Sequence, residues 1–224
     1  MARPPAAVAR QARREEVLVV PRHQALAQGS WHGLRQGGVP ELLELVAEAG
    51  EFRPRAEVET QPEWQQVIPH LVVRDGGRLL AMRRLRAGSE PRLRGQVTLG
   101  VGGHVNIDDG TLEQAWAAGC RREWLEEVVC DRQVPATAVG LLKDDVGAVG
   151  RVHLGVLVLV EAAGAAVAVR EEDKLEGRMT DLHQLGIHYL EMETWSQFVY
   201  DALVGEGIEA GPDDLRLALP ASPR

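Results

Sequence analysis

The chain has 224 residues, of which 45% are apolar and 26% are charged, and its formal net charge is −8. This composition is typical of a globular protein with one medium-sized domain, and the negative charge argues against a protein that binds nucleic acid irrespective of sequence. Two cysteines, Cys120 and Cys130, occur without a CxxC motif, which argues against a zinc knuckle or a disulfide framework. No apolar run approaches the about 20 residues of a membrane-spanning helix, so we expect a cytoplasmic chain without a membrane partner.

The first 62 residues predict an appendage rather than the body of the fold. Residues 1–15 carry four arginines, two adjacent prolines and no apolar periodicity, and they predict a disordered tail. Within residues 16–62, an apolar run at residues 17–20 predicts a strand, and the segment PELLELVAEAG predicts a helix that starts at Pro40 and ends at Gly50. We expect this N-terminal strand–helix extension to form either a small lobe or a cover on the main domain.

The main domain is predicted over residues 63–204. Two apolar stretches around the segment DGG, at residues 75–77, predict a β-hairpin, because these residues suit the positive φ angles of a tight turn. A third strand runs into a group of glycines, a helix follows over residues 111–129, and further strands lead to a last helix capped by Thr194. This order predicts the α/β class, with a mixed sheet flanked by helices. Residues 205–224, rich in Gly, Pro, Asp and Glu, predict a flexible C-terminal tail.

The helix at residues 111–129 concentrates three carboxylates, Glu123, Glu126 and Glu127, in the segment CRREWLEEV. On a helical wheel, Glu123 and Glu127 fall within the apolar sector and Glu126 lies at its edge. The other members of that sector are Leu112, Trp116, Gly119, Cys120 and Trp124. Like charges three and four residues apart repel each other, and partial burial adds a desolvation cost. A divalent cation that prefers oxygen ligands would relieve this repulsion, and the alternative is a charged surface edge with separate basic partners.

Two glycines, Gly102 and Gly103, lie between the third strand and the acidic helix. Glycines let the backbone approach a ligand or a metal ion closely, and a plain tight turn is the alternative explanation. His104 follows the pair directly, so it could bond to a phosphate or satisfy a loop carbonyl.

Residues 102–128, GGHVNIDDGTLEQAWAAGCRREWLEEV, resemble the signature of the Nudix hydrolases, G-x5-E-x7-R-E-U-x-E-E-x-G-U, where U is a bulky apolar residue. Residues 122–127 match the R-E-U-x-E-E core, and Gly103 matches the opening glycine. The resemblance covers residues 63–203 and implies a Nudix-like α/β/α sandwich with a mixed sheet. It further implies hydrolysis of a diphosphate linkage in a nucleoside diphosphate derivative or a similar phosphorylated small molecule.

This chain departs from the signature at three points. Five extra residues separate Gly103 from the core, Gln114 replaces the upstream glutamate, and Val129 replaces the glycine that follows the helix. An insertion in the loop HVNIDDGT explains the first departure without a change at the carboxylates. The second departure removes the residue thought to brace the core arginine, and three nearby acidic residues could substitute for it: Asp108, Asp109 and Glu113.

The resemblance also implies roles for individual residues. Mg²⁺ or Mn²⁺ would be bound by Glu123, Glu127, Glu126 and the carbonyl of Gly103, and water would attack a phosphorus atom of the diphosphate. Arg122 would orient the carboxylates, Glu127 is our candidate for the general base, and Glu126 is a further catalytic carboxylate. Other candidates for the base lie in the loop EEDKLEG, at Glu171, Glu172 and Glu176. The expected contacts with the substrate are Gly102, His104 and Arg84.

Two other functions stay open at the level of the sequence. The first is a Nudix domain that binds or senses a nucleotide without turnover. The second is an isoprenoid-diphosphate isomerase, which needs a protonating cysteine in the site, and neither Cys120 nor Cys130 occupies an expected position. We expect the chain to bind a small phosphorylated substrate and no nucleic acid. The chain could also form a homodimer.

Overall fold

The structure is a computed structural model, which describes residues 15–85, 95–170 and 175–222. Its strands, in chain order, are β1 (Glu16–Pro21), β2 (Gly33–Gln36), β3 (Glu51–Pro54), β4 (Trp64–Asp75), β5 (Arg78–Arg84), β6 (Val97–Thr98), β7 (Gly100–Val101), β8 (Val128–Cys130), β9 (Val134–Lys143), β10 (His153–Glu161), β11 (Val167–Val169), β12 (Leu175–Asp181) and β13 (Leu215–Leu219). Its helices are α1 (Arg22–Ala25), α2 (Val39–Ala49), α3 (Arg55–Val58), α4 (Leu112–Glu127), α5 (Leu182–Ile187) and α6 (Thr194–Val204). Short 3₁₀ turns lie at Ile107–Asp109, Gly150–Val152 and Tyr189–Glu191.

The main sheet is mixed, as predicted. Its central path follows the order β12-β5-β4-β10-β9-β13, and β1, β2, β6 and β7 pair with strands of this path. β4 and β10 are parallel, whereas β10 and β9 are antiparallel. β10 is buried along nearly its whole length, as expected for a strand that is apolar on both faces. The predicted hairpin is formed by β4 and β5, and Gly76 in its turn has a φ of 59°.

The N-terminal extension is part of this sheet, so the expectation of a small lobe or a cover is wrong. β1 pairs antiparallel with β3 and β4, and β2 pairs antiparallel with β9. The apolar residues 17–20 are buried on both faces of β1, because Leu18 and Val20 pack into the large core beneath α2 and α4, whereas Val17 and Val19 pack against Val58. The boundary expected at residue 62 therefore does not separate two structural units. The helix predicted in this segment is α2, which is followed by Gly50 as expected.

The C-terminal tail predicted over residues 205–224 is also wrong for residues 215–222. β13 pairs antiparallel with β9, and its last residue, Leu219, is buried. The segment LRLAL has leucine at every second position, and its leucines are less exposed than the residues between them, which is the pattern of a strand with one face on a core. Over residues 205–224 as a whole, the many Gly, Pro and Asp residues give the composition of a loop, and this composition obscures the short strand pattern within the range.

Helices cover both faces of the sheet. α2 and α4 pack on one face, where Trp116 and Trp124 of α4 are among the largest buried side chains. α5 and α6 pack on the other face through Leu185 and Val199. This α/β/α arrangement confirms the predicted fold class. None of the helices in the described ranges is both long enough and apolar enough to cross a membrane.

Candidate active site

Arg122 lies at the centre of the candidate site and joins the loop before α4 to the carboxylates on α4. Its Nε and Nη2 atoms donate to the two carboxylate oxygens of Asp109 at 2.8 and 2.9 Å, and Nη2 also donates to the carbonyl of His104 at 2.7 Å. Its Nη1 atom donates to Glu123 at 2.7 Å and to Glu126 at 3.3 Å. The hydrogen bonds with Asp109 hold the pKa of Arg122 above its ordinary value, although burial opposes them. Arg122 therefore stays charged and contacts three carboxylates, and the orienting role that the resemblance implies for it stays a prediction.

The brace of Arg122 is Asp109, one of the three candidates. It closes the 3₁₀ turn Ile107–Asp109, where one of its oxygens also accepts from the backbone N–H of Asn106 at 2.8 Å. Its side chain is only 5% exposed, whereas Asp108 and Glu113 are exposed to solvent. The insertion in the signature thus forms the turn that carries the brace.

Strand β1 fixes this loop from the other side. The N–H of Leu18 donates to the carbonyl of Val105 at 2.8 Å, and Val17 forms an isolated antiparallel bridge with Asn106. The loop that connects Gly103 to α4 is therefore held between the N-terminal strand and Arg122.

Glu123 is buried against the backbone of Gly103. Only 7% of Glu123 is exposed, and a Cβ atom at Gly103 would lie 2.6 Å from the Oε1 atom of Glu123. A side chain at position 103 would therefore displace the carboxylate, which explains the glycine. Burial raises the pKa of Glu123, the bond from Arg122 lowers it, and the charges of Glu126 and Asp109 raise it further. One guanidinium thus faces three carboxylates, and a further cation would stabilise the group.

The other two glutamates differ in their exposure. Glu126 is 58% exposed at its side chain, as expected for the edge of the helical sector. Glu127 is half-buried, and its backbone carbonyl accepts from the N–H of Arg170 at 2.8 Å. Within the described residues, no group of three or more His, Cys, Asp or Glu side chains is gathered in a way that could hold a metal ion. The oxygen donors on successive turns of α4 fit Mg²⁺ or Mn²⁺ by their chemistry, and the exposed Glu126 would have to turn to complete the set.

His104 faces His153, the first residue of β10. Their Nε2 atoms are 3.4 Å apart, and Nδ1 of His153 lies 2.7 Å from the carbonyl of Val149. Burial lowers the pKa of His104 to about 2, with nearby positive charges acting in the same direction, and burial also lowers the pKa of His153. The two rings are therefore neutral near pH 7. The pairing depends on the parallel contact of β10 with β4, which has no local signal in the sequence.

The backbone conformation and the close packing at position 102 require a glycine. Its φ is 153°, and a Cβ atom there would collide with the carbonyl oxygen of Pro69. This close packing explains the residue without a ligand, so a contact with the substrate stays a prediction.

The remaining predicted residues lie apart from this group or outside the described part of the chain. Glu171, Glu172 and the side chain of Arg84 lie outside the described residues, and Glu176 is exposed on β12. Arg83, which precedes Arg84 on β5, forms an ion pair with Glu191 at 2.6 Å. It lines a cavity of about 90 Å³ that also contacts Leu185 of α5, on the sheet face away from α4.

Both cysteines are buried in the core. Burial raises the pKa of the Cys120 thiol, and the thiol of Cys130 donates to the carbonyl of Arg132 at 3.2 Å. Neither thiol is placed to protonate a substrate beside Glu123, so the geometry gives no support to the isomerase alternative.

Comparison with known proteins places the chain in a family, although no family model matches it. Protein YmaB of Bacillus subtilis is 33% identical over 202 residues, which cover 84% of this chain and 97% of YmaB. The crystal structure of Tm1382, a protein whose own assignment as a Nudix hydrolase is an inference, matches with a TM-score of 0.74 at 31% sequence identity. That match covers 86% of this chain and 100% of Tm1382. The chain therefore belongs to the Nudix hydrolase family.

Proposed function

We propose that this chain is a metal-dependent hydrolase that cleaves a diphosphate linkage in a nucleoside diphosphate derivative or a similar phosphorylated small molecule. The observation that carries this proposal is the arrangement around Arg122, which joins the buried Glu123 to the exposed Glu126 beside the backbone of Gly103. Membership of the Nudix hydrolase family supports a hydrolytic reaction.

The acidic end of α4 is the proposed metal site. Its ligands would be Glu123, Glu126, Glu127 and the carbonyl of Gly103. When bound there, Mg²⁺ or Mn²⁺ supplies positive charge for the phosphates and lowers the pKa of a bound water. Arg122 keeps two of the carboxylates oriented by charge-assisted hydrogen bonds, and Asp109 keeps Arg122 in place.

Glu127 is the proposed general base. It lies four residues after Glu123 on the inner side of α4 and is half-buried, so it can accept the proton that the attacking water loses. A neutral His104 would contribute a hydrogen bond to the substrate rather than a positive charge. Gly102 and Arg84 stay proposed contacts of the substrate.

The test is the release of phosphate and nucleotide from a panel of nucleoside diphosphate derivatives, first with Mg²⁺ and then with Mn²⁺. We expect turnover of at least one member, and we expect Glu127→Gln to lower it by about 100-fold or more, which is the usual contribution of a general base. Glu113→Gln is the matched control, because Glu113 is exposed on the first turn of the same helix.

Equal rates for the two variants would contradict the role of Glu127. Metal-dependent binding of a panel member without turnover would instead favour a nucleotide sensor.

A further inference from the structure

The end of α4 is built differently from the family signature. The helix passes directly into β8, because Val128 has extended backbone angles with φ −120° and ψ 140°. Val129, which replaces the signature glycine, is not among the residues with positive φ, so no glycine is needed there. The last carbonyl groups of a helix have no partner within the helix, and other groups must satisfy them.

Ser222 supplies part of this support. Its side chain is buried, and its hydroxyl donates to the carbonyl of Val128 at 2.7 Å. Its backbone N–H and carbonyl bond to the carbonyl and N–H of Cys130 at 2.9 and 3.0 Å. The chain near residue 222 is thus fastened to the strand that directly follows the acidic helix.

Arg170 supplies the rest of the support. Its Nη2 atom donates to the hydroxyl of Ser222 at 2.5 Å and to the carbonyl of Val128 at 3.3 Å, and its backbone N–H donates to the carbonyl of Glu127 at 2.8 Å. A positive charge at this position also complements the negative end of the helix dipole. One turn earlier, the indole N–H of Trp124 donates to the carbonyl of Pro220 at 2.9 Å.

We infer that Pro220, Ser222 and Arg170 form a C-terminal anchor that positions the last turn of α4 for metal binding. Without the side chains of Ser222 and Arg170, the carbonyl of Val128 would lose its donors, and the last turn would fray. Fraying moves Glu127 directly and loosens Glu123 one turn before it. Ser222 and Arg170 are positioning residues, because they act through the glutamates. This role rests on the proposed function, since that function requires the metal ion.

The experiment measures Mn²⁺ binding to the full chain by the electron paramagnetic resonance signal of free Mn²⁺, well below the melting temperature. We expect Ser222→Ala to weaken binding by about tenfold, as loss of outer support commonly does at metal sites. Thr180→Val is the matched control, because it removes another buried hydroxyl, which donates to the carbonyl of Arg178 on the distant strand β12. This control should bind as the wild type does. Ser222→Thr keeps the hydroxyl and should recover the affinity.

A second measurement on the same proteins, amide hydrogen exchange, reports on the helix itself. We expect Ser222→Ala to speed exchange over residues 124–128 and to leave β4 unchanged. If Ser222→Ala does not fold, Arg170→Gln takes its place with the same expected results.

Two results would overturn the inference. If the wild type and Ser222→Ala bind Mn²⁺ equally, the anchor has no role at the metal, whereas the proposed function stands. If the wild type binds no Mn²⁺, the proposed function fails and the metal role of the anchor fails with it. In that case, unchanged exchange in Ser222→Ala would reject the anchor as a support of the helix as well.

Discussion

At the scale of single residues, Asp109 compensates for the missing glutamate of the signature. Its carboxylate accepts two hydrogen bonds from Arg122, a geometry that matches the planar guanidinium. Gln114, which stands in the signature position, is exposed on the first turn of α4. The brace has therefore moved from the helix to the loop that precedes it.

The ion pair of Asp109 with Arg122 leads to a prediction for stability. Asp109→Asn removes the negative charge from a nearly buried ion pair, and we expect the free energy of unfolding to fall by about 2 kcal/mol. Urea denaturation measures the change. Asp108→Asn is the control, because Asp108 is exposed in the same turn, and it should change stability by less than about 0.5 kcal/mol. Equal losses in the two variants would show that the loop, rather than the ion pair, is sensitive.

At the scale of elements, local patterns in the sequence predict much of the structure. The hairpin of β4 and β5, the helix α4 and the apolar strand β10 follow from turn residues and periodicity within short segments. The placement of Glu123 and Glu127 inside the apolar sector follows from the same periodicity. Local patterns do not predict β13 or the parallel contact of β4 with β10, because each depends on a partner far away in the chain. The sequence likewise gives no sign of Ser222, whose partner Val128 lies 94 residues earlier. It leaves Asp109 as one of three candidates, because the turn that buries its side chain has no periodic pattern.

The place of β1 in the sheet leads to a prediction for the folding of a truncated variant that begins at Glu63. If residues 16–62 were only a cover, this shorter chain would fold with a cooperative transition. Because β1 and β2 pair with β4 and β9, we expect it to lose the cooperative transition and the near-UV circular dichroism of packed tryptophans. A cooperative urea transition in the shorter chain would contradict this view of the N-terminal segment.

At the scale of the whole molecule, a partly buried charge network ties the N-terminal segment to the turn that follows β9. Arg22 of α1 pairs with Asp145 at 2.6 Å, and Asp145 lies 3.2 Å from the ammonium group of Lys143. Lys143 is fully buried, and it also donates to the carbonyls of Gly150 and His153. Since β10 begins at His153, this network holds three segments of the chain together at one end of the sheet.

The network predicts a loss of stability in acid. Burial acts to raise the pKa of Asp145, but the hydrogen bond from Arg22, the nearby Ser30 hydroxyl and the positive charge of Lys143 outweigh it and lower the pKa to about 2. An unfolded aspartate titrates near pH 3.9, so the ionised Asp145 stabilises the fold fully above about pH 4, and this contribution is lost as the pH falls towards 2. Because the Asp145 side chain is partly exposed, solvent screens its ion pairs, and we expect the contribution to be only about 1 kcal/mol near neutral pH.

Urea denaturation of Asp145→Asn and the wild type tests whether the stabilisation by ionised Asp145 is lost as the pH falls. The difference in unfolding free energy should be smaller at about pH 3 than at about pH 6. Asp213→Asn is the control, because Asp213 is an exposed carboxylate in a loop. A difference that stays constant across this pH range would mean that the charge of Asp145 does not stabilise the fold.

The attachment of Ser222 to the end of α4 has a consequence for the order of events during synthesis. α4 and its carboxylates leave the ribosome well before residues 215–222, so the nascent helix lacks both β13 and the hydroxyl that bonds to Val128. Contacts between distant segments of a chain form slowly, because closing the long intervening loop costs entropy before the contact stabilises the fold. A nascent chain would therefore carry all three glutamates of α4 for some time before its last helical turn is fixed. The last turn of the acidic helix would become fixed only when residues 215–222 have reached the sheet.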